Sequence, residues 1–573
     1  MRYPSGACPL ACSVISLPET GNIMNWLISA AVLGGALVGA APRTGPVFPY
    51  ELPGEVRPQG KIDELVFARL KELGIRPAYL CSDEVFVRRV YLDVIGTLPT
   101  PEEVRRFLQD ISPRKRAALI DRLLERPEYP DYWAMKWSDL LRIKAEFPIN
   151  LWPNAAQAYH RWVLASLRSN MPYNQFVREL LTSSGSNFRV PQVNFYRAVQ
   201  SRDPEGLARA VALTFMGTRA EKWPKERLAG MAAFFSQISY KSTGEWKEEI
   251  VAPDPTKPLQ GTPVFPDGTP ARIGPNQDPR QVFADWLIRP ENPWFARAIV
   301  NRIWSWLLGR GIVHEPDDLR PDNPPSNPEL LAYLEQELVA SGYDLKHIFR
   351  LILNSKTYQL SALPLSDRPE AEANFAYYRL RRLEAEVLID ALNQITGTTE
   401  SYSSAIPEPF TFIPEGFRSI ALPDGSITSA FLEQFGRPPR DTGLESERNN
   451  RPTADQRLHL LNSSHILRKL EQGPKLQELL QAATPKPAPK FAKAGKAGKG
   501  GRLAKSAPFR GTAPAADPLE VVNALYLTIL SRRPTGEEIQ TVADYVRSSR
   551  SRREAAIDIA WALINSAEFL YRH

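Results

Sequence analysis

Apolar side chains recur at intervals of three and four residues along most of this chain, the spacing that places them on one face of an α-helix. Ile62, Val66 and Leu70 form one such stripe, and Gly74 follows it as a helix stop. Ser82 is placed to cap the next helix. Strict alternation of apolar and polar residues, which indicates a half-buried strand, is rare. The pattern therefore predicts a mostly α fold.

Local signals predict where several helices begin. Residues 100–103 (TPEE) form a capping box with proline at the first helical position. Asn292 and Asn327, each followed by proline, predict the starts of two further helices. Residues 241–280 and 400–440 are rich in Pro, Gly and Ser, and they predict long loops or short strands.

These signals divide the chain into two helical domains with long Pro/Gly-rich loops and few short strands. The predicted segments are an N-terminal tail with a signal-like stretch (1–41), a first helical domain (55–240), a Pro/Gly-rich connection (241–279), a second helical domain (280–483), a basic tract (484–516), and C-terminal helices that complete the second domain (517–573).

Two stretches of the sequence are similar to each other. Residues 91–104 read YLDVIGTLPTPEEV, and residues 526–539 read YLTILSRRPTGEEI. Both place a helix before a threonine cap and a second helix after it. A duplicated helical module and a recurrence of common helix punctuation both account for the likeness.

Residues 26–38 (WLISAAVLGGALV) form an apolar run of signal-peptide length, which is short for a transmembrane helix. Val38 and Ala40 suit a cleavage site, so we predict export to the periplasm or cell surface, with no membrane span in the mature chain. An uncleaved anchor is the alternative. Only Arg2 supplies a basic residue upstream of the run, unless Met24 is the true start.

The cysteines and histidines do not form a ligand pattern. Cys8 and Cys12 precede the apolar run and would be removed with it, which leaves Cys81 as a helix-edge or core residue. His459 and His465 are six positions apart, so within one helix they would not share a face. Neither a Cys/His zinc pattern nor a haem attachment motif is present. We therefore predict no cofactor and no bound metal.

The net charge of +7 is concentrated in one place. The basic tract (484–516) holds eight cations and no acid, and removing them leaves −1 on the remainder of the chain. The cations of the basic tract are Lys486, Lys490, Lys493, Lys496, Lys499, Arg502, Lys505 and Arg510.

The composition of the basic tract, with lysines spaced by Ala, Gly and Pro, cannot bury a core. It predicts either a solvated linker or non-specific binding to an anionic cell-surface polymer or nucleic acid through counterion release. With only Phe491 and Phe509 as aromatic residues, the tract lacks a stacking platform, so sequence-specific nucleic-acid binding is not predicted.

Motifs in both halves of the chain resemble a known family. They are RRVYLD at 88–93, LPTPEEV at 98–104, ARAIVNRIW at 296–304, GRGIV at 309–313 and ALINS at 562–566. These stretches resemble the secreted planctomycete-type proteins that pair two domains of unknown function, numbered 1549 and 1553. The resemblance extends over residues 60–240 and 280–573.

The departures from the family bear on chemistry. Many members carry a haem-type Cys-x-x-Cys-His motif just after a Phe-x-Gly-x-Arg segment; here the segment is present at 215–219 (FMGTR), and the motif is absent. A Cys-x-Cys-Glu-Arg motif of the family is replaced by LESER at 444–448, and Asn327 stands where histidine is usual. The resemblance therefore implies a relative that keeps the scaffold and lacks the thiolate and imidazole ligands.

The densest polar cluster is residues 314–323 (HEPDDLRPDN). Asp317 and Asp318 within it could act as acid and base on a glycosidic bond or bind Ca²⁺, and a solvated connection between helices is the alternative. Glu447 and Arg448 are further catalytic candidates. They could equally form an anion clamp or a buried ion-pair network.

Two functions follow from these observations, and the family resemblance implies a third option, haem-linked electron transfer. The first is an exported scaffold or interaction protein, without enzymatic activity, that contacts anionic cell-surface polymer through the basic tract. The alternative is an exported polysaccharide-active hydrolase that uses the carboxylates near Asp317 and Asp318. A pocket shared by these carboxylates with Glu447 and Arg448 would favour the hydrolase, and exposure to bulk water would favour the scaffold.

Overall fold

The computed structural model of the chain describes residues 45–482 and 518–573, and α-helices dominate its regular structure. The helices of the first half are α1 (Lys61–Glu72), α2 (Asp83–Ile95), α3 (Pro101–Gln109), α4 (Lys115–Leu124), α5 (Glu128–Leu140), α6 (Pro153–Arg168), α7 (Tyr173–Thr182), α8 (Pro204–Met216) and α9 (Lys225–Ala232). The predicted signal-like stretch and the basic tract lie outside the described residues.

The second half is helical as well, which confirms the predicted fold class. Its helices are α10 (Pro279–Leu287), α11 (Phe295–Leu308), α12 (Pro328–Ala340), α13 (Leu345–Asn354), α14 (Pro369–Ala373), α15 (Ala385–Thr396), α16 (Ala430–Gln434), α17 (Ala454–Asn462), α18 (Ser464–Gln472), α19 (Pro474–Ala482), α20 (Pro518–Ile529), α21 (Gly536–Ser548), α22 (Arg552–Ile564) and α23 (Ala567–Leu570).

The described strands are short and antiparallel. They are β1 (Gly185–Ser186), β2 (Ile238–Ser242), β3 (Glu249–Pro253), β4 (Arg381–Arg382) and β5 (Tyr571–Arg572). In the larger sheet β3 lies between β1 and β2, and Tyr240 is paired with Val251. In the smaller sheet β4 pairs with β5, which brings the end of the chain beside residue 381.

Side-chain caps begin the helices where the local sequence predicts them. The Ser82 hydroxyl accepts a hydrogen bond from the backbone N–H of Val85, and Thr100 and Glu103 form the full capping box. Asn292 is a partial exception: its helix begins three residues later, at Phe295, whose backbone N–H donates to Asn292 Oδ1 at 3.2 Å. The Asn292 side chain thus accepts hydrogen bonds from free N–H groups at the start of the helix, although Asn292 does not directly precede it.

One hydrophobic core extends through both predicted domains. Trp133 of α5 is 1% exposed, and its ring centroid lies 5.3 Å from that of Trp306 on α11 and 4.4 Å from that of Phe349 on α13. Because these three helices bury their apolar faces against one another, the two predicted domains share an interior. The boundaries between the domains stay a prediction.

The last helices pack against the first helical region. Arg88 of α2 donates to the carbonyl oxygens of Ile529 (2.8 Å) and Phe569 (3.0 Å). Arg89 donates to the carbonyl of the terminal residue His573 at 2.8 Å. These buried guanidinium groups satisfy carbonyls that the helix ends would otherwise leave without partners.

The two similar stretches have the same local geometry. Thr535 and Glu538 form a capping box at the start of α21, as Thr100 and Glu103 do at the start of α3. Helix α20 also packs against α3. The shared geometry is what the shared local sequence requires, and duplication of a module stays a prediction.

Candidate functional site

Asp317 lies in the connection between α11 and α12 and is buried, with 1% of its surface exposed. Its Oδ1 accepts a hydrogen bond from Arg302 Nη2 at 2.8 Å, and its Oδ2 accepts one from the backbone N–H of Glu445 at 2.6 Å. Arg302 is held in turn by the carbonyl oxygen of Leu213 at 2.6 Å. Both oxygens of Asp317 are thus engaged by fixed donors, and the side chain ties three segments of the chain together.

Asp318 occupies a different environment from its neighbour. Its carboxylate is partly exposed and accepts a hydrogen bond from Arg320 Nε at 3.0 Å, and the ammonium group of Lys222 lies 3.7 Å away. One carboxylate is therefore fully buried and the other is partly exposed. Acid and base catalysis on a glycosidic bond needs two carboxyl groups that face the same substrate, and Asp317 and Asp318 do not form such a pair.

Glu447 organises a turn of the chain. Its Oε1 accepts a hydrogen bond from the backbone N–H of Asp441 at 2.8 Å, and its Oε2 accepts one from the Thr442 hydroxyl at 2.9 Å. Although it precedes Arg448 in the sequence, the two side chains have separate partners. The four candidate catalytic residues are therefore not brought to one pocket, and their catalytic role stays a prediction without support from the geometry.

Arg448 is the centre of a buried ion-pair network. Its guanidinium lies 2.7 Å from the carboxylate of Asp139 and 2.7 Å from that of Glu386, and Arg440 pairs with Asp139 at 2.9 Å. Burial raises the pKa of Glu386, but the Arg448 guanidinium outweighs it and lowers that pKa to about 2. Of the two interpretations offered for Arg448, this geometry is that of the ion-pair network.

A second buried network is centred on Glu384. The ammonium group of Lys136 donates to Glu384 Oε1 at 2.8 Å, and Arg572 Nη1 donates to the same oxygen at 3.0 Å. Burial raises the pKa of Glu384, but Arg572 and Lys136 together hold it well below its usual range. No local sequence signal marks this site, because Lys136, Glu384 and Arg572 come from three distant parts of the chain.

A third group of polar side chains surrounds Asp93 of α2. Asp93 Oδ2 accepts hydrogen bonds from the hydroxyls of Tyr358 (2.9 Å) and Tyr378 (2.8 Å), and Oδ1 accepts one from Arg381 Nη2 at 3.2 Å. Every member is held by others within the interior. The three networks join helices to one another. Because a buried charge is stable only when its partners are in place, each network favours the packed arrangement of the helices that it joins.

The two histidines of α17 and α18 come closer than their spacing in one helix allows. A break at Ser463 separates the helices, so His459 Nε2 lies 3.4 Å from His465 Nδ1, and His465 Nε2 lies 3.1 Å from Glu400. Within residues 45–482 and 518–573, no three His, Cys, Asp or Glu side chains are grouped as metal ligands. Cys81 is buried, as predicted for a core residue.

A surface cleft of about 590 Å³ lies apart from the predicted residues and is lined in part by Arg227, Asp267 and Trp294. Arg227 stacks over the ring of Trp223 at 4.2 Å. The Asp267 carboxylate is engaged by the indole N–H of Trp286 at 3.0 Å. The polar groups of the cleft therefore include the Arg227 guanidinium, which is stacked on an aromatic ring, and the Asp267 carboxylate, which already accepts a hydrogen bond.

Two segments that stand out in the sequence, residues 215–219 and 444–448, meet beside Asp317. The backbone N–H of Leu319 donates to the carbonyl of Gly217, in the first of these segments, at 2.9 Å. On the other side, Glu445 of the LESER segment donates to Asp317. Here these two segments are joined by hydrogen bonds and by the Arg302–Asp317 ion pair.

Comparison with protein families accounts for both halves of the chain. Residues 61–238 match the PSCyt2 model, a protein of unknown function (DUF1549), and residues 279–546 match the PSD1 model, a protein of unknown function (DUF1553). The chain belongs to the family that pairs these two domains. No curated protein and no solved structure matches the chain.

Membership of this family confirms the resemblance read from the motifs. The buried Arg302 lies within the PSD1 match, whereas its carbonyl partner Leu213 lies within the PSCyt2 match. Polar contacts as well as the apolar core therefore join the two matched regions. No helix in the described part of the chain has both the length and the apolar character needed to cross a bilayer.

Proposed function

We propose that the protein is an exported scaffold or interaction protein that attaches to anionic cell-surface polymer through its basic tract. The supporting observation is the segregation of charge. The tract holds eight cations and no acid, and the remainder of the chain has a net charge of −1. A run of unbalanced cations is the feature that binds polyanions by releasing their counterions.

The interior supports a structural role for the other charged residues. Arg302, Arg448 and Arg572 are buried and pair with Asp317, Glu386 and Glu384. Carboxylates that are buried and engaged on both oxygens, as Asp317 is, have no free face to offer a substrate. Neither a pocket shared by the four candidates nor exposure of both carboxylates to bulk water is observed. We favour a binding protein over a hydrolase because the buried Asp317 already has partners on both oxygens.

Deletion of the charge tests the binding proposal. The experiment compares binding of two proteins to immobilised heparin and polygalacturonate. One is the mature protein, and the other is a variant in which a neutral Gly/Ser/Ala segment of equal length replaces residues 484–516. Binding by the mature protein is expected to fall on the order of a thousandfold between 50 and 200 mM salt, as for six or more ionic contacts. The neutral variant should bind weakly at both salt concentrations.

Equal binding by the two proteins would contradict the proposal. A melting temperature that is the same for both proteins is the control for folding. Export is tested separately by the mass of the protein recovered from the cell envelope. Cleavage after Ala40 predicts an N-terminus at Ala41, and recovery of the uncleaved chain from the cytoplasm would contradict export.

A further inference from the structure

The turn between α21 and α22 is the most basic short segment that the structure describes outside the interior. Residues 545–553 read YVRSSRSRR and contain no acid. The arginine turn, as we call its four basic residues, consists of Arg547, Arg550, Arg552 and Arg553, and all four are exposed.

The four guanidinium groups differ in how they are engaged. Arg547 pairs with Asp544 at 2.9 Å, where both side chains are more than half exposed. Arg553 donates to Gln477 Oε1 at 3.0 Å. Arg550 and Arg552 have no hydrogen bond or ion pair with the described residues. Two arginines are thus free, within that part of the chain, to meet an outside anion.

The arginine turn lies beside the point where the basic tract leaves the described structure. Gln477, the partner of Arg553, is on α19, five residues before its last residue Ala482. At 1.5 Å per residue the end of α19 is about 8 Å further along the helix axis. Helix α20, which begins at Pro518 after the tract, packs against both α19 and α22.

The two helices that flank the basic tract, α19 and α20, therefore belong to the group of helices that carries the arginine turn. Because the chain is continuous, a polymer bound by the ends of the tract would be near this group. The tract contains six lysines and two arginines, whereas the turn contains only arginine. Lysine acts as a point charge, while the planar guanidinium donates two parallel hydrogen bonds to a carboxylate, sulfate or phosphate.

The position of Arg552 supports a role outside folding. It is the first residue of α22, where the helix dipole places partial positive charge. A cation there works against helix stability, and an acid would be favoured. Arg552 stands at this position without an acidic partner in the described structure, so its guanidinium is available to an anion supplied from outside.

We propose that the arginine turn is the folded part of the polymer-binding surface, with Arg550 and Arg552 binding oxyanion groups of the same anionic polysaccharide that the basic tract attracts. This inference rests on the proposed function. The tract supplies non-specific attraction, and the turn supplies a fixed place at which the polymer is held.

The experiment compares four forms of the full mature chain: the unchanged protein, Arg550→Gln/Arg552→Gln, the neutral-tract variant, and the combination. Affinity for heparin, polygalacturonate and double-stranded DNA is measured at several salt concentrations. The double substitution is expected to weaken polysaccharide binding about five- to tenfold and to reduce the slope of log K against log salt by about two. Arg550→Lys/Arg552→Lys should keep the salt slope of the unchanged protein but lose part of the affinity, because an ammonium group cannot donate two parallel hydrogen bonds to one oxyanion.

A matched control removes two exposed arginines elsewhere that have no hydrogen bond or ion pair with the described residues, Arg76→Gln and Arg272→Gln. It should bind as the unchanged protein does. If the turn variant binds normally while the neutral-tract variant does not, the inference is overturned and the proposed function stands. If the control weakens binding as much as the turn variant, a general charge effect replaces the inference. Tighter binding to DNA than to either polysaccharide would overturn the choice of ligand.

If the neutral-tract variant binds as tightly as the unchanged protein, the proposed function fails. If, in that case, only the Arg550→Gln/Arg552→Gln variant loses affinity for the polymer, the arginine turn binds it without the basic tract.

Discussion

The interior of the protein and the turn between α21 and α22 use the same guanidinium group in opposite surroundings. Arg448 is buried between Asp139 and Glu386, each 2.7 Å away, whereas Arg550 and Arg552 are exposed and have no partner among the described residues. Inside the protein an arginine must have its partners in place, because an unpaired buried charge costs several kcal/mol. At the surface, water stabilises the charge, so the residue is free to bind something else.

This difference separates residues whose loss should unfold the protein from residues whose loss should change only what it binds. The first group joins the PSCyt2 and PSD1 regions through the interior. The second group lies near the end of the chain, beside the basic tract. Three predictions test how sharply the molecule divides these roles.

The largest effect is expected for Arg448→Ala. The substitution leaves Asp139 and Glu386 buried with reduced compensation, and we expect a loss of about 3–5 kcal/mol in the free energy of unfolding. Urea denaturation followed by tryptophan fluorescence measures it. Arg550→Ala is the matched control and should change stability by less than about 0.5 kcal/mol. Similar values for the two variants would contradict the division between interior and surface arginines.

A smaller effect is expected on mild acidification. Burial lowers the pKa of His160 to about 3 and that of His573 to about 4, so the folded protein keeps both rings neutral while the unfolded chain protonates them below about pH 6.5. Since the unfolded state binds more protons, stability falls with decreasing pH. We expect each histidine to contribute a loss of about 2 kcal/mol between pH 7.5 and pH 5.

Denaturation curves at pH 7.5, 6.5, 5.5 and 5.0 provide the measurement. His160→Gln should remove the contribution of one histidine, about 2 kcal/mol over this interval. Burial raises the pKa of Asp424 and of Glu445, and these carboxyls act in the opposite direction once the pH approaches their titration range. The test is therefore the difference between the parent and His160→Gln at each pH, in which the contribution of these carboxyls cancels. A difference that is constant over this interval would disprove the prediction.

The smallest effect carries the opposite sign from the first. Arg552→Gln removes a cation from the first turn of α22, and we expect the protein to become more stable by about 0.3–0.5 kcal/mol at low salt. Arg547→Gln is the control, because Arg547 lies in the last turn of α21, where a cation is favourable. It should lower stability by a similar amount. Equal and unchanged melting temperatures at low salt would show that the helix dipole has no measurable role here.

Local features of the fold were predictable because they depend on residues close together in the chain. A capping side chain and the N–H group that it receives are two or three positions apart, as at Ser82 and Val85 or Thr535 and Glu538. The sequence predicted the start of α11 at Asn292, and the helix begins three residues later, at Phe295. This difference is a local one. The mostly helical class follows from the sum of such signals.

The contents of the candidate site were not predictable in the same way. Asp317 and Asp318 are neighbours in sequence, yet the fold buries the first completely, leaves the second partly exposed and gives them different partners. Arg448 pairs with Asp139, which lies 309 positions earlier in the chain. A single sequence states which residues carry charge but contains no signal that pairs two of them over such a distance.

The helical class, the caps, the family motifs and the concentration of charge in residues 484–516 can be read along the chain, because each depends on composition or on neighbouring residues. The pairing of Asp317 with Arg302 and Glu445, and the lack of a partner for Arg550 and Arg552 among the described residues, depend on the packed molecule. Burial and pairing set the energy of a charge, and both arise where distant segments pack together.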